Sequence, residues 1–389
     1  MILEVVMFGL LKREQAGDLM SKKVIGELFV LRSTACLSLV LLHSFARVYG
    51  SDIEAINTVN LLLTFATPMF VFISEFVLAH SYPDKQPKQF WTKRLKYLLL
   101  PYLFFGTFYA FVKAVEMRNG LSYSEAALQL LWKHILLGDF HGYFILVIFQ
   151  FYALHGLYTK VIRDRISPIT VISVSLLIQL LYLSFFNLVK PLDIPFAAYI
   201  WDKLFWLPVF GWLSYFSIAY YCGRNYEAFK RQLIKRTKWV VMAPIVTAIL
   251  PIVLYKLGVY TEISSKRFDM VPFVIAMTLF LFLMALKLRS IPNIIVQISK
   301  YSFGIYLFHP FYMAVFKAFE NKIPFTISSV PLVGLYFFSS IILSVVSVYI
   351  ANKIKYGTYL VGRLGLDTGT TKKQLAVPLH PSSSTDVKV

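Results

Sequence analysis

The sequence predicts an all-α membrane protein, a polytopic bundle of about ten transmembrane helices. Apolar residues make up 58% of the 389 residues and only 15% are charged, whereas a soluble domain usually carries about 25% charged residues. Apolar runs of roughly 20 residues, the length that spans a bilayer, recur along the chain. In lipid such runs form helices, because every backbone polar group must be satisfied internally.

The apolar runs define one membrane domain, residues 24–352, with no soluble catalytic domain attached. Residues 1–23 precede it as a cytoplasmic N-terminal extension, and residues 353–389 follow it as a cytoplasmic, partly disordered tail. Residues 117–141 contain a shorter apolar pattern at helical spacing, which predicts an amphipathic helix on the outer face. The ten predicted spans are residues 28–49, 57–80, 97–116, 142–159, 168–189, 204–222, 239–257, 271–286, 301–319 and 330–351.

The basic residues orient these spans in the membrane. The net charge is +19, from 39 Lys and Arg against 20 Asp and Glu. In a soluble chain this excess would suggest nucleic acid, but in a membrane protein the positive-inside bias explains it, and we expect no nucleic-acid partner. With a cytoplasmic N-terminus, most Lys and Arg fall in inner loops and ends. We therefore predict a cell-membrane protein with both termini cytoplasmic.

Several classes of active site are excluded by the motifs that the sequence lacks. Cys36 and Cys222 both lie inside predicted spans and form neither a disulfide framework nor a metal site. The chain contains no P-loop, no G-x-S-x-G nucleophile elbow, no C-x-x-C and no H-E-x-x-H. Any chemistry must therefore be performed by isolated polar residues inside the bundle, and we expect no metal and no tightly bound cofactor.

An arginine and a histidine share one face of the first predicted span. Arg32 and His43 differ by about 20° around the helix axis and by roughly 16 Å along it. Because a charge inside a membrane helix costs about 2.5–3.5 kcal/mol, this face must line the bundle interior or a watery cavity. A snorkelling Arg32 and a hydrogen-bonded structural His43 are the alternative. We favour a functional role for His43.

Further polar residues lie in the second, fourth and ninth spans. Glu75 lies at about the depth of Arg32, which predicts an ion pair between them; a catalytic role for Glu75 is the alternative. His141 lies at the outer mouth of the fourth span and Tyr152 lies in mid-membrane. His309, in the ninth span, is followed by a proline that can kink the helix. These four residues are candidate supporting residues, with structural roles as the alternative.

Basic residues concentrate in the stretch FWTKRLKYLLLPY at the start of the third span. Lys93, Arg94 and Lys96 could bind the phosphates of a nucleotide-bearing donor, because charged donors recognise phosphate oxygens. The alternative is that they contact lipid phosphates. We predict a donor-binding role for all three.

Four motifs together resemble the integral-membrane acyltransferase type 3 family over roughly residues 24–352. They are the R-x10-H pattern of Arg32 and His43, the F-x-x-K-R-L-K-Y-L-L-L-P-Y stretch, HGYF at the fourth span and YSFGIYLFHP at the ninth. The combination is most similar to the branch that contains the intercellular-adhesin C proteins, which act on poly-N-acetylglucosamine.

The resemblance implies an acyl-CoA-dependent transferase that acts on envelope carbohydrate. The first-span histidine, the proposed catalytic residue of the family, maps onto His43, and the arginine ahead of it maps onto Arg32. The family motif R-x-x-R aligns with Arg94 and Tyr97, so its second arginine is missing here. Many relatives have glycine where Glu75 stands, and Glu75 therefore takes no role from the family.

We therefore expect a membrane O-acyltransferase that moves an acetyl or succinyl group from acyl-CoA to a hydroxyl of a cell-surface polysaccharide or its precursor. His43 would act as the general base, and Arg32 and Arg94 would hold the donor. The expected partners are acyl-CoA as donor substrate, surface or lipid-linked glycan, membrane lipid and a glycan synthase. One alternative is a polysaccharide exporter or flippase without acyl-transfer chemistry; another is a scaffold subunit of a synthase.

Overall fold

The computed structural model describes residues 25–84, 86–116, 122–163, 165–320, 322, 324 and 327–364. This part of the chain forms helices joined by turns and contains no β-strand, which confirms the all-α fold class. The N-terminal extension before residue 25 and the tail after residue 364 lie outside the described residues.

The helices follow one another along the chain with short connections. Three π-helical turns, Leu95–Leu99, Tyr158–Ile162 and Ile200–Leu204, extend neighbouring helices, and a 3₁₀ turn, Val209–Trp212, comes directly before the helix that begins at Leu213. The α-helices are α1 Glu27–Tyr49, α2 Glu54–Leu63, α3 Ala66–Ser81, α4 Phe90–Arg94, α5 Leu100–Glu116, α6 Tyr123–Leu137, α7 Tyr143–Leu157, α8 Pro168–Leu188, α9 Ala197–Tyr199, α10 Leu213–Arg224, α11 Tyr226–Lys235, α12 Thr237–Lys256, α13 Met270–Lys287, α14 Asn293–Glu320, α15 Ser329–Lys353 and α16 Thr358–Val361.

Eight helical segments of the described chain are long and apolar enough to cross a membrane. The other two predicted spans, 204–222 and 301–319, correspond to α10 with its preceding turn and to α14. Every residue of α10 from Leu213 to Gly223 is buried inside the bundle, and α14 is 28 residues long. The prediction of about ten membrane helices is therefore confirmed. The eight segments are Glu27–Tyr49, Glu54–Ser81, Phe90–Val115, Tyr143–Ile162, Pro168–Leu188, Thr237–Lys256, Met270–Lys287 and Ser329–Lys353.

Two parallel helices, α1 and α14, lie side by side in the bundle. Cys36 Sγ is 3.9 Å from the Ser302 carbonyl oxygen, and further along both helices the rings of His43 and His309 lie with centroids 5.3 Å apart. The two contacts follow the same order along both chains. Residues in the second halves of α1 and α14 therefore meet at one end of the bundle, which we call the distal end.

A second parallel pair, α3 and α7, runs in the opposite direction. Phe70 packs on Phe144 early in both helices, and Glu75 contacts His155 late in both. Ser74, late in α3, lines the same cavity as Arg32, early in α1. The ends of α3 and α7 therefore lie beside the start of α1, at the end of the bundle that we call the terminal end.

Close helix packing depends on glycine where α3 meets α10. A Cβ atom on Gly223 would lie 2.4 Å from the Phe76 carbonyl oxygen, so a larger residue would separate the two helices.

At the distal end, the predicted amphipathic helix is present as α6. Its start carries a capping box between Ser122 and Glu125, and the Tyr102 hydroxyl donates 2.6 Å to the His134 carbonyl, which fixes α6 on α5.

The segment after α15 folds back onto the terminal end of the bundle. Within the predicted tail, α16 packs beside α5 and the preceding π-helical turn, and its residue Val361 is buried. The Tyr359 ring stacks on Tyr97, with centroids 5.7 Å apart. The tail therefore begins with a folded segment.

Candidate active site

A cavity near the terminal end brings together three of the predicted site residues. Its volume is about 220 Å³, and Arg32 of α1, Arg94 of α4 and Tyr152 of α7 all line it. Two arginines from helices distant in sequence thus meet in one largely apolar space. The other lining residues are Phe70, Ile73, Ser74, Val77, Leu98, Phe144, Ile145, Ile148, Ser302, Phe303 and Tyr306.

Neither arginine of the cavity forms an ion pair with a carboxylate of the described chain. The Arg94 guanidinium lies 5.0 Å from the ring centroids of both Phe90 and Tyr152, and these two rings hold it by cation–π contacts. Arg32 is partly covered by the cavity wall. Two guanidinium groups without acidic partners can bind the oxygens of an anionic ligand, since each offers several donors in a fixed plane.

The two lysines beside Arg94 do not reach this cavity. Lys93 and Lys96 are exposed and are absent from the cavity wall. Because consecutive helical residues differ by about 100° around the axis, only one residue of the basic stretch can face the cavity at this level. The geometry keeps Arg94 as a candidate donor ligand and gives no such place to Lys93 and Lys96.

The predicted ion pair between Arg32 and Glu75 is wrong. Glu75 Oε1 lies 2.7 Å from His155 Nδ1, and both side chains are almost completely buried. Glu75 lies at about the level of Arg32 along the bundle, but its side chain points to another helix. Ser74 faces the cavity that holds Arg32, and Glu75, about 100° further around α3, points toward α7 instead.

His155 is a polar core residue that the sequence analysis missed. It is 1% exposed, and its ring contacts Tyr220, with centroids 5.6 Å apart. A signal for it exists, because His155 and Glu75 lie at similar depths in the second and fourth spans. The depth argument that selected Arg32 as the partner of Glu75 applies equally to His155.

Three histidines from three parts of the chain form a cluster toward the distal end. His43 of α1 lies 5.3 Å from His309 of α14, and His141, just before α7, lies 6.2 Å from His309, measured between ring centroids. His309 is fully buried, and His43 is partly exposed. The structure thus brings together all three histidines that the sequence analysis named as candidates.

Backbone carbonyls fix the tautomer of two of these rings. His309 Nδ1 lies 2.9 Å from the Ile305 carbonyl oxygen, and because a carbonyl only accepts, this nitrogen carries the proton. Neutral His309 then has an unprotonated Nε2, which is buried and has no hydrogen-bond partner among the described residues. His141 Nε2 donates to the Leu307 carbonyl at 3.3 Å. His43 has no hydrogen bond within the described chain and remains available to a ligand.

A tyrosine bridges α14 where a proline interrupts it. Pro310 has no N–H to donate to the preceding turn. One residue later, the Phe311 N–H donates to the Tyr109 phenol oxygen at 3.2 Å, and the Tyr109 hydroxyl donates to the Leu307 carbonyl at 2.8 Å. The same carbonyl accepts from His141. This bridge ties α5 and the start of α7 to the turn that carries His309.

Tyr306 stands between the cavity and the histidine cluster. Its ring lines the cavity and lies 5.6 Å from His141 and 6.5 Å from His309, measured between centroids. Its hydroxyl donates to the His141 carbonyl oxygen. Tyr306 therefore lies between the cavity that Arg32 lines and the cluster that contains His43.

Nothing in the described chain has the pattern of a metal centre. No group of three or more His, Cys, Asp or Glu side chains is arranged to hold a metal ion in the residues that the structure describes. In the histidine cluster, one nitrogen of His141 and one of His309 already donate to carbonyls.

Comparison with known proteins places this arrangement in a family. A family model described as an acyltransferase domain, acyltransferase 3, matches residues 25–349, which include all of α1–α14 and most of α15. The chain belongs to the integral-membrane acyltransferase type 3 family. The protein is therefore a multi-pass membrane acyltransferase.

Relatives of this type 3 acyltransferase carry two kinds of name. YfiQ of Bacillus subtilis (strain 168), provisionally named a membrane-bound acyltransferase, is 36% identical over 348 residues, which cover 87% of this chain and 95% of YfiQ. A protein of Staphylococcus aureus (strain Mu50 / ATCC 700699), provisionally named a poly-beta-1,6-N-acetyl-D-glucosamine export protein, is 26% identical over 314 residues, covering 77% of this chain and 85% of that one. A Staphylococcus epidermidis protein of the same name is 25% identical over 304 residues, covering 76% and 83%. No solved structure matches the chain.

Proposed function

We propose that this acyltransferase moves an acyl group, acetyl or succinyl, from acyl-CoA to a hydroxyl of a cell-surface polysaccharide or its lipid-linked precursor. The observation that carries the proposal is the position of Arg32 and His43 at the two ends of one face of α1. The first lines a cavity with Arg94, and the second joins a histidine cluster. One face of α1 would thus present an anion-binding group, Arg32, at the terminal end and a base, His43, toward the distal end.

Acyl-CoA suits the cavity because it combines an anionic part with a long apolar arm. Its phosphates would bind the guanidinium groups of Arg32 and Arg94, which have no acidic partners in the described chain. Its pantetheine chain would extend past Tyr306, so that the thioester reaches His43, roughly 16 Å further along α1. Because acyl-CoA is made in the cytosol, we propose that the terminal end faces the cytoplasm, that the bundle lies in the plasma membrane and that both chain termini are cytoplasmic.

His43 is proposed as the general base. Its imidazole takes the proton of the acceptor hydroxyl while the hydroxyl oxygen attacks the thioester carbonyl carbon. The tetrahedral intermediate then expels the CoA thiolate as the carbon–sulfur bond breaks, and the imidazolium returns its proton to that thiolate. His309 Nε2 can accept the N–H of His43, which would fix the tautomer of the base.

A transferase assay with the purified protein tests this function. The protein, reconstituted in liposomes, is supplied with acetyl-CoA or succinyl-CoA and with an oligosaccharide of poly-N-acetylglucosamine, the polymer after which two relatives are named. We expect ester-linked acyl groups in the glycan by mass spectrometry, with a mass increment that identifies the acyl group. The proposal would be contradicted if neither donor gave acyl transfer to this polymer or to total surface glycan of the source cells.

Export without chemistry is the second candidate function, because the staphylococcal relatives are named as export proteins. An exporter would use the polar face of α1 as a path for glycan and would not need a base. In cells that make the glycan, loss of an exporter would retain polymer inside. Loss of an acyltransferase would leave polymer outside but without acyl groups. A glycan synthase is the partner expected in either case, and co-purification of the two proteins would support that assignment.

A further inference from the structure

The connection between α12 and α13 is held on the bundle by a buried arginine. Arg267 is fully buried and forms an ion pair with Asp269, with Nη2 2.5 Å from Oδ2. Its Nη1 donates to the carbonyls of Tyr260 and Glu262, and its Nη2 donates to the carbonyl of Pro251. Every one of these bonds ties the connection to itself or to α12. The backbone next to Lys266 is therefore held by Arg267, and the Lys266 N–H donates to Ser264 Oγ at 3.2 Å.

Lys266 lies over an aromatic pair beside the start of α7. Its Nζ is 3.9 Å from the ring centroid of Trp206 and 4.9 Å from that of Tyr143, and these two rings stack with centroids 5.5 Å apart. A second lysine, Lys203, lies 5.5 Å from the same indole. We call Lys203, Lys266, Trp206 and Tyr143 the lysine–indole cluster.

The lysine–indole cluster holds more positive than negative charge. Lys203 is paired at 3.4 Å with Asp202, which is largely exposed, and such a pair is screened by solvent. Lys266 forms no ion pair within the described chain. Burial lowers the pKa of Lys266 to about 8, Glu262 nearby opposes this shift, and the charge of Lys203 adds to it. Two ammonium groups share one indole ring, and the two acids near them, Asp202 and Glu262, are both exposed to solvent.

This cluster adjoins the histidine cluster. Tyr143 of this cluster follows His141 of the histidine cluster by two positions, so the Cα atoms of these two residues are at most about 7 Å apart. Lys266 also lies within electrostatic range of the His43 ring. The site that would receive an acceptor hydroxyl is therefore bordered by ammonium groups at the distal end.

We propose that the lysine–indole cluster binds an anionic group, a carboxylate or a phosphate, on the acceptor glycan and thereby holds a neighbouring sugar hydroxyl at His43. The proposal rests on the proposed function and adds that the preferred acceptor carries an anionic group, as a lipid-linked precursor does through its phosphate. An anion placed between Lys203 and Lys266 would relieve their mutual repulsion and receive charge-assisted hydrogen bonds from both. The geometry offers this site already assembled, because Arg267 holds the connection and the two stacked rings hold the Lys266 ammonium before a ligand arrives.

Equilibrium binding without any acyl donor tests the proposal independently of catalysis. The full-length protein in a neutral detergent is titrated with tetragalacturonic acid, with its methyl ester as the neutral match, and with a sugar phosphate as the second anionic probe. We expect the acid or the phosphate to bind at least tenfold more tightly than the ester. Equal binding of charged and neutral probes would overturn the proposal. No acyl donor is present in this experiment, so a failure of the proposed chemistry would not alter its result.

Matched variants assign the binding to Lys266. Lys266→Gln should lose most of the preference for the charged probe, whereas Lys266→Arg should keep this preference within about threefold. The control Lys256→Gln changes an exposed lysine at the same end of the bundle and should leave the preference unchanged. Because the pKa of Lys266 is about 8, wild-type affinity for the acid should fall as the pH rises through 8, and Lys266→Arg should not show this fall. Unchanged affinity in Lys266→Gln would contradict the assignment. Phosphatidylglycerol could instead displace the glycan probe and bind with the same dependence on Lys266. That result would assign the cluster to lipid and would overturn the proposal.

Discussion

The imidazole rings of His43 and His309 lie with their centroids 5.3 Å apart on two parallel helices. His309 is oriented by its bond to the Ile305 carbonyl, while His43 has no hydrogen bond in the described chain. A fixed ring thus stands next to one that is available to substrate. In general base catalysis such a neighbour sets the tautomer and orientation of the base.

His309 should act as a positioning residue for His43. His309→Asn keeps a donor where Nδ1 bonds to Ile305 but removes the acceptor at Nε2. We expect it to slow acyl transfer about 10²-fold, the usual cost of a misplaced reacting group, at unchanged protein abundance. His309→Gln places an amide oxygen near the position of Nε2 and should retain more activity than His309→Asn. Equal rates in the two variants, or a loss of folded protein in both, would assign His309 a structural role only.

Arg94 should govern the affinity for the donor. Hydrogen bonds to charged groups contribute about 1.5–3 kcal/mol, so Arg94→Gln should raise the KM for acyl-CoA roughly 10- to 150-fold with a smaller effect on kcat. Arg94→Lys should recover little of this, because a lysine cannot reproduce the planar guanidinium. Lys93→Gln and Lys96→Gln are matched controls on the exposed side of the same segment and should behave as wild type. A larger effect from either lysine than from Arg94 would show that the donor binds outside the cavity.

Glu75 and His155 should be coupled in stability. Removing one partner of a buried pair costs about 3–5 kcal/mol, because the other polar group is left without compensation. Glu75→Ala and His155→Ala should each lower the thermal unfolding midpoint in detergent, and the double variant should lose less than the sum. Arg32→Ala combined with Glu75→Ala should instead be additive. Coupling of Glu75 to Arg32 rather than to His155 would contradict the observed contact.

The orientation of the bundle can be tested by labelling single cysteines in intact cells. Lys235→Cys, at the exposed end of α11, should be protected from an impermeant thiol reagent, because we place the terminal end in the cytoplasm. Thr261→Cys, in the exposed connection between α12 and α13, should be labelled. Buried Cys36 and Cys222 provide a low background. The reverse labelling pattern would invert the membrane orientation and place the donor cavity outside.

Relations within one helix could be predicted from the sequence. The common face of Arg32 and His43 follows from helix periodicity alone, and the structure places both residues along α1 as expected. The positions of the spans follow from apolar length. Neither inference requires knowledge of how helices pack against each other.

Relations between helices could not be predicted in the same way. The partner of Glu75 depends on the rotation of α3 about its own axis, which is set by contacts such as the close approach of Gly223 to Phe76. The depth of a residue in the membrane does not determine toward which neighbouring helix its side chain points. The sequence pattern did not indicate a role for Lys266, because this residue lies in a connection between helices. There neither hydropathy nor helical periodicity restricts the direction of a side chain. The Lys266 backbone lies in a connection that the hydrogen bonds of Arg267 hold on α12, and its ammonium is held by Trp206 and Tyr143.

The central claim, that His43 is the general base of acyl transfer, is tested most directly by mass spectrometry of surface glycan from cells that express His43→Gln. Loss of a general base typically lowers the reaction rate 10²–10⁴-fold. Glutamine keeps the size and hydrogen bonding of the side chain but not its basicity. We predict normal protein abundance, normal export of glycan and no detectable acyl ester. Normal acylation by well-expressed His43→Gln protein would contradict this assignment.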